Sequence, residues 1–267
     1  MSLKKESLSD AQLHLAALNG NLPLLTRILD SGKVHVDSRD KDGTTPLILA
    51  AANGHFDCIR ELLDQGADPN IKRITGTTPL FFAAQGGYLD IVQFLLENGA
   101  HVDTTSQDKA TPLFIASQNG HYKIVVYLLA HGADPDPRRS DGVTPLWIAA
   151  QMGHDHLVAL LLKAGAFVDS PKNDGATALF KAAHKGHSAV ISELLKYRPC
   201  LGLLQNGESA LHAAAFSGNL SVCKQLICAG SNPNLKNQDG ATARQVAEHN
   251  RHRAVIDYLS QFSRRKQ

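Results

Sequence analysis

The chain has 267 residues, 43% hydrophobic and 19% charged, and a formal net charge of +2 at pH 7. That apolar share is ordinary for a chain that buries a core, and the near-neutral balance excludes partnership with a polyanion through bulk charge alone. No apolar run approaches the ~18 residues of a membrane span, and the start, MSLKKESLSD, lacks the apolar core of a secretory signal.

Taken in order, the chain repeats itself. The first stretch, AQLHLAALNGN, contains Gly20-Asn21, follows polar residues, and predicts two short helices within a capping unit over 8–41. A Thr-Pro-Leu triplet then recurs every 33 residues, as Thr45-Pro46-Leu47, Thr78-Pro79-Leu80, Thr111-Pro112-Leu113 and Thr144-Pro145-Leu146. It weakens to Thr177-Ala178-Leu179, then to Ser209-Ala210-Leu211 after a step of 32, then to Thr242-Ala243-Arg244. The inner units are 42–74, 75–107, 108–140, 141–173, 174–205 and 206–238. A second, more polar cap covers 239–262, and 263–267 is expected to be a frayed basic tail.

Each recurring letter has a physical task. The Thr hydroxyl caps a helix N-terminus, and Pro fits the first turn, where no N–H is needed. Apolar residues then recur at helical spacing, as in Leu80, Ala83 and Ala84. A Gly ends this first helix in Gly54-His55, Gly87-Tyr88, Gly120-His121, Gly153-His154 and Gly186-His187. A second amphipathic helix follows, as in Ile91, Val92, Leu95 and Leu96, and ends at Gly66, Gly99, Gly132, Gly165 or Gly230. Turn dipeptides such as Asp42-Gly43, Thr75-Gly76 and Asp141-Gly142 mark hairpin tips. Helices this short are marginal alone, so each unit must bury its apolar face against the next. The prediction is an all-α solenoid of about eight stacked helix–turn–helix units with short β-hairpin-like loops.

The run GTTPLFFAAQGGYLDIVQFLLENGAHVD (Gly76–Asp103) resembles the ankyrin repeat, and the likeness extends over about residues 9–262. Three departures stand out. The His usual after Pro-Leu is replaced by Ile48, Phe81, Phe114, Trp147 and Phe180, and only His212 keeps it. The aromatic series is expected to be buried between helices. Lys109 stands at a turn Gly and is expected to distort that tip, and Arg198-Pro199-Cys200 replaces Gly-Ala-Asp, so that loop should bend differently.

The resemblance implies a single domain for non-catalytic protein recognition through a concave groove lined by hairpin tips and first helices. Sequence phase places Ile74, Thr75, Thr77, Gln85, Gln107, Asp108, Gln118 and Asn119 on that face, followed by Asp141, Val143, Gln151, Met152, His184, Lys185 and Phe216. Thr44, Ala110 and Ala176 share the phase of Thr77 and Val143. Gln85, Gln118 and Gln151 would form a ladder for an extended peptide, while Ile74, Val143, Met152 and Phe216 would be apolar anchors. The expected partner is a protein or peptide, not a nucleic acid or membrane, and the expected state is a monomer. The alternative is a scaffold or homodimer that uses the edges and ends of the stack. The family's use as a substrate of asparaginyl hydroxylases implies Asn70 and Asn234, each eight residues after a second-helix Leu, as hydroxylation sites.

No phosphate loop, nucleophile elbow or HExxH is present, so neither enzyme activity nor a cofactor is expected. The Gly-His histidines are expected to hydrogen-bond neighbouring loop backbone, and no metal is expected. Cys58, Cys200, Cys223 and Cys228 form no CxxC pair or zinc spacing, with Cys58 and Cys223 at apolar register positions. An intracellular chain follows, cytoplasmic with the nucleus as the alternative.

Overall fold

The structure, a computed structural model, describes residues 7–263; the polar start and residues 264–267 of the basic tail lie outside them. Among the described residues there are sixteen α-helices and no strand, with one isolated bridge between Lys236 and Thr242. The chain divides into two compact units, Met1–Asp134 and Pro135–Gln267. The first holds α1 (Leu8–Leu18), α2 (Leu22–Asp30), α3 (Pro46–Asn53), α4 (Phe56–Asp64), α5 (Pro79–Gly86), α6 (Leu89–Glu97), α7 (Pro112–Asn119) and α8 (Tyr122–Ala130). The second holds α9 (Pro145–Met152), α10 (Asp155–Lys163), α11 (Ala178–Lys185), α12 (Ser188–Leu195), α13 (Ala210–Phe216), α14 (Leu220–Cys228), α15 (Ala243–His249) and α16 (Arg253–Ser263).

Within each unit, odd-numbered helices pack on odd and even on even, and each helix pair closes on itself. The caps read from the sequence are in place. Thr78 Oγ1 accepts from the Phe81 amide at 3.3 Å, and Thr45, Thr111, Thr144, Thr177 and Ser209 act alike. Gly54, Gly87, Gly120, Gly153 and Gly186 end the first helices with left-handed backbone. The paired alanines Ala50-Ala51, Ala83-Ala84 and Ala182-Ala183 are fully buried, because a methyl group lets neighbouring first helices approach closely. Second helices bury one stripe, such as Ile91, Val92 and Leu95.

Two further devices join neighbouring repeats. A His at the start of the second helix donates from Nε2 to a first-helix carbonyl one repeat back: after a capping Gly, His55 to Leu18, His121 to Gln85 and His187 to Gln151, and after Arg251, His252 to Phe216, at 2.9–3.0 Å. The ring lies against the preceding capping Gly, so closely that a Cβ on Gly87 would stand 2.7 Å from His121. The second device is an Asp or Asn clip. Asp37 accepts from the Asp68 amide, Asn70 from His101, Asp103 from Asp134 and Asp169 from Cys200.

One expected distortion is absent, and the other is present but confined to its loop. Lys109 adopts φ 65, the left-handed conformation of the Gly it replaces, and its amide still bonds Ser106 O at 2.9 Å. The tip is kept in shape by strain in one residue. Arg198 likewise takes φ 51, and the following Cys200 amide is clipped by Asp169 as in other repeats. The change at this loop is local: Pro199 has no N–H for the bond that Ala67, Ala100 and Ser231 make at its place.

The expected polar outer face holds for the last helix pair, where Arg244 is paired with Glu248. It fails for the first, since α1 leaves Leu8, Leu15 and Leu18 exposed.

Candidate recognition face

Hairpin tips and the C-terminal ends of first helices carry the residues singled out from the sequence. Each tip is closed by two backbone bonds, as Arg73 N to Thr77 O at 3.0 Å with Gly76 N to Arg73 O at 2.9 Å, and Arg139 N to Val143 O at 3.0 Å with Gly142 N to Arg139 O at 2.8 Å. Successive tips are also stitched together. Ile74 N donates to Asp42 O and Gln107 N to Thr75 O in the first unit, and Asn173 N to Asp141 O in the second. This backbone ladder fixes the spacing of the side chains above it.

Of the first unit's residues, Ile74, Thr75, Gln85, Gln107, Asp108 and Asn119 are exposed and Gln118 is half-buried. In the second unit Met152, Lys185 and Phe216 are exposed, while Asp141, Gln151 and His184 are half-buried. Ile74, Met152 and Phe216 are 58%, 49% and 52% exposed, a large open fraction for apolar side chains on helices and tips that are otherwise packed.

Val143 and Thr77 are corrections. Val143 is 1% exposed and Thr77 9%, and Thr44, Ala110 and Ala176 in the same register are also buried. This residue lies between the tip and the N-cap, where the chain turns inward to start the first helix, so its side chain seals the base of the hairpin. None of these can touch a partner. The repeated small or β-branched residue at this register is the signal that marks it as interior.

Several exposed polar groups are already engaged. Gln107 Nε2 donates to Ile74 O at 2.6 Å, and Asn119 Nδ2 to Gln85 O at 2.9 Å. Asp108 accepts from the Ser106 hydroxyl. Asp141 takes two bonds from Arg139, at 3.0 and 2.6 Å, and these hold its carboxyl below the usual carboxylate range. His184 stacks on Phe216 with ring centroids 5.9 Å apart, and its Nδ1 is buried without a hydrogen-bond partner. Burial first, then Lys181 and Lys185, lower its pKa.

The aromatic series is largely interior, as expected. Phe81, Phe114 and Trp147 are buried and Phe180 is half-buried. Trp147 donates from its indole N–H to Ala176 O at 3.0 Å, and His212 donates from Nε2 to Ala241 O, the equivalent carbonyl, at 3.1 Å. The indole thus does at one repeat what the imidazole does at another.

The second unit also holds a recess of about 610 Å³ that was not foreseen as a cavity. His184 and Phe216 line it, together with Glu208, Asn237, Asp239 and Val246. Glu208 occupies the register of Val143 and Ala176, and a charged residue at an otherwise small, buried position was the available hint. Its carboxylate accepts from Asn237 Nδ2 at 2.8 Å.

Among the described residues no cluster of three His, Cys, Asp or Glu is placed to hold a metal ion, and no helix is long and apolar enough to cross a membrane. Cys58 and Cys223 are buried, and burial raises the Cys223 thiol to about 12. Asn70 is the clip described above, and its Nδ2 also donates to Gly99 O at 2.9 Å, whereas Asn234 is exposed.

A family model described as Ankyrin repeats (3 copies) matches residues 13–107, 101–172 and 165–237. Ankyrin repeat domain-containing protein 29 of Homo sapiens is 53% identical over 73 residues, 27% of this chain and 24% of that protein. The Danio rerio protein of the same name is 49% identical over 73 residues, with the same shares. Ankyrin repeat domain-containing protein 49 of Bos taurus is 47% identical over 53 residues, 20% of this chain and 22% of that protein. The matched stretch is thus about a quarter of each relative's length.

Proposed function

The chain belongs to the ankyrin repeat family, a family of protein–protein interaction modules, and from that premise we propose that it is a non-catalytic recognition module. It grips a protein or peptide on the face formed by hairpin tips and first-helix ends. One observation carries the reading: Ile74, Met152 and Phe216 are left about half exposed, while the apolar residues that precede Met152 and Phe216 in their helices, such as Ile148, Ala150, Ala213 and Ala215, are buried. Apolar groups on a polar, hydrogen-bonded frame are the usual anchors of an interface. A cytoplasmic setting suits the four free cysteines, and the same reading treats the chain as one functional domain.

The test is partner binding by Ile74→Ala, Met152→Ala and Phe216→Ala. Each exposed truncation should leave the unfolding midpoint nearly unchanged and weaken the complex, by ~2 kcal/mol or more where the residue is a hot spot. Normal binding by all three variants would remove the site assignment.

A second reading, self-association or scaffolding through an end of a stack, has its own observation in exposed Leu8, Leu15 and Leu18. Light scattering decides it: a concentration-dependent dimer that Leu8→Ser with Leu15→Ser abolishes would favour this reading.

A further inference from the structure

We propose that the recess in the second unit is a receptor for the guanidinium of an arginine side chain presented by the partner protein, an inference that rests on the recognition reading above. The recess is of ordinary ligand size, and its wall combines Phe180 and Phe216 with the carboxylates of Glu208 and Asp239. No lysine or arginine is among its lining residues, so the two carboxylates face it unneutralised from within. Asn237 bonds only Oε1 of Glu208, leaving the second oxygen for an incoming donor. The nearest ring pair favours a flat cation. His184 and Phe216 lie nearly parallel, 18° apart, and present aromatic surface at the recess wall. A guanidinium stacks on such a surface and forks its N–H groups onto carboxylates; a lysine ammonium is a compact, strongly hydrated charge that does the first poorly. Val246, Ala213 and Ala241 supply apolar wall for the methylene stem.

Of the three histidines that line the recess, two are constrained by their surroundings. His212 is committed on both nitrogens, to Ser209 Oγ at 2.7 Å and to Ala241 O at 3.1 Å. His184 is held uncharged by burial and by the positive charge of Lys181 and Lys185.

The experiment is an NMR titration of the full chain with three capped tripeptides, Gly-Arg-Gly, Gly-Lys-Gly and Gly-citrulline-Gly. Citrulline keeps the shape of arginine and removes its charge. The arginine peptide should shift the amides around Glu208, Phe216 and Asp239 and saturate on the order of 1 mM, as suits one anchoring side chain. The citrulline and lysine peptides should bind roughly ten-fold more weakly. Glu208→Gln with Asp239→Asn should abolish the preference while keeping the unfolding midpoint, since Gln retains the acceptor that Asn237 uses. Equal binding of all three peptides, shifts that fall elsewhere, or an unchanged preference in the double variant would overturn the proposal. The recognition reading fails separately: selective arginine binding supports the recess even if Ile74→Ala and Met152→Ala leave partner binding intact, which would sink only the broader reading.

Discussion

Substituting Gly87 and Gly99 by alanine separates the contact between repeats from the strain of the turn. Both glycines have left-handed backbone, φ 82 and φ 87. Forcing an alanine there costs roughly 1–2 kcal/mol, offset by about 0.4–1 kcal/mol from the stiffer unfolded chain, so a net loss of about 1 kcal/mol is shared by both. At Gly99 a Cβ meets nothing within 4 Å. At Gly87 it would stand 2.7 Å from His121 Cε1 and 2.9 Å from Nδ1, so the ring must leave and its bond to Gln85 O is lost. That carbonyl keeps the Asn119 amide at 2.9 Å and is not orphaned, which limits the added loss to one net hydrogen bond, about 1 kcal/mol. Gly87→Ala should therefore lose about 2 kcal/mol against about 1 for Gly99→Ala, read from urea midpoints by circular dichroism. In a His121→Ala background the Gly87 penalty should fall to the Gly99 level. Equal penalties in the natural background, or no change when His121 is removed, would refute the view that the ring clamps one repeat to the next.

Other outcomes follow from the same geometry. Trp147→Phe should lose about 1 kcal/mol as Ala176 O loses its indole donor, whereas Trp147→His should recover part of that by restoring the bond His212 makes; urea unfolding compares the two. Lys109→Gly should stabilise by about 0.5–1 kcal/mol, because the left-handed turn is kept and the side-chain strain removed. Burial raises the Asp37 carboxyl above its ordinary value, so protonation favours the fold: this contribution is fully present below the unfolded pKa and is lost as pH rises through the folded one. Asp37→Asn, which imitates Asn70, should stabilise at pH 7, with the advantage vanishing near about pH 3; unfolding midpoints at the two pH values test it. For protein from hydroxylase-containing cells, intact-mass and peptide analysis should find one added oxygen on exposed Asn234 in preference to Asn70, whose side chain is engaged at both ends.

The architecture was readable because the letters that build it act locally. Thr, Pro and Gly at fixed offsets specify where a helix starts and stops whatever surrounds it, and these positions are as expected. Residues whose role depends on a neighbouring repeat were harder to place. Val143 reads as an outward apolar group only until the turn that tucks it under the hairpin is known. Gln107 reads as a free amide until the adjacent tip brings Ile74 O within 2.6 Å. Lys109 shows the reverse: a residue unfavourable to the turn is overruled by the bonds around it. The recess escaped notice because Phe180, Glu208 and Asp239 come from three different repeats, which no single period displays.

The most direct test is affinity capture from cell lysate with three versions of the chain: intact, altered on the tip face (Ile74, Met152 and Phe216 to Ala), and altered on second helices at exposed Tyr122 and Val126. The intact chain and the second-helix variant should retain the same captured protein, and the tip-face variant should lose it. Retention by the tip-face variant, or loss confined to the second-helix variant, would contradict the account.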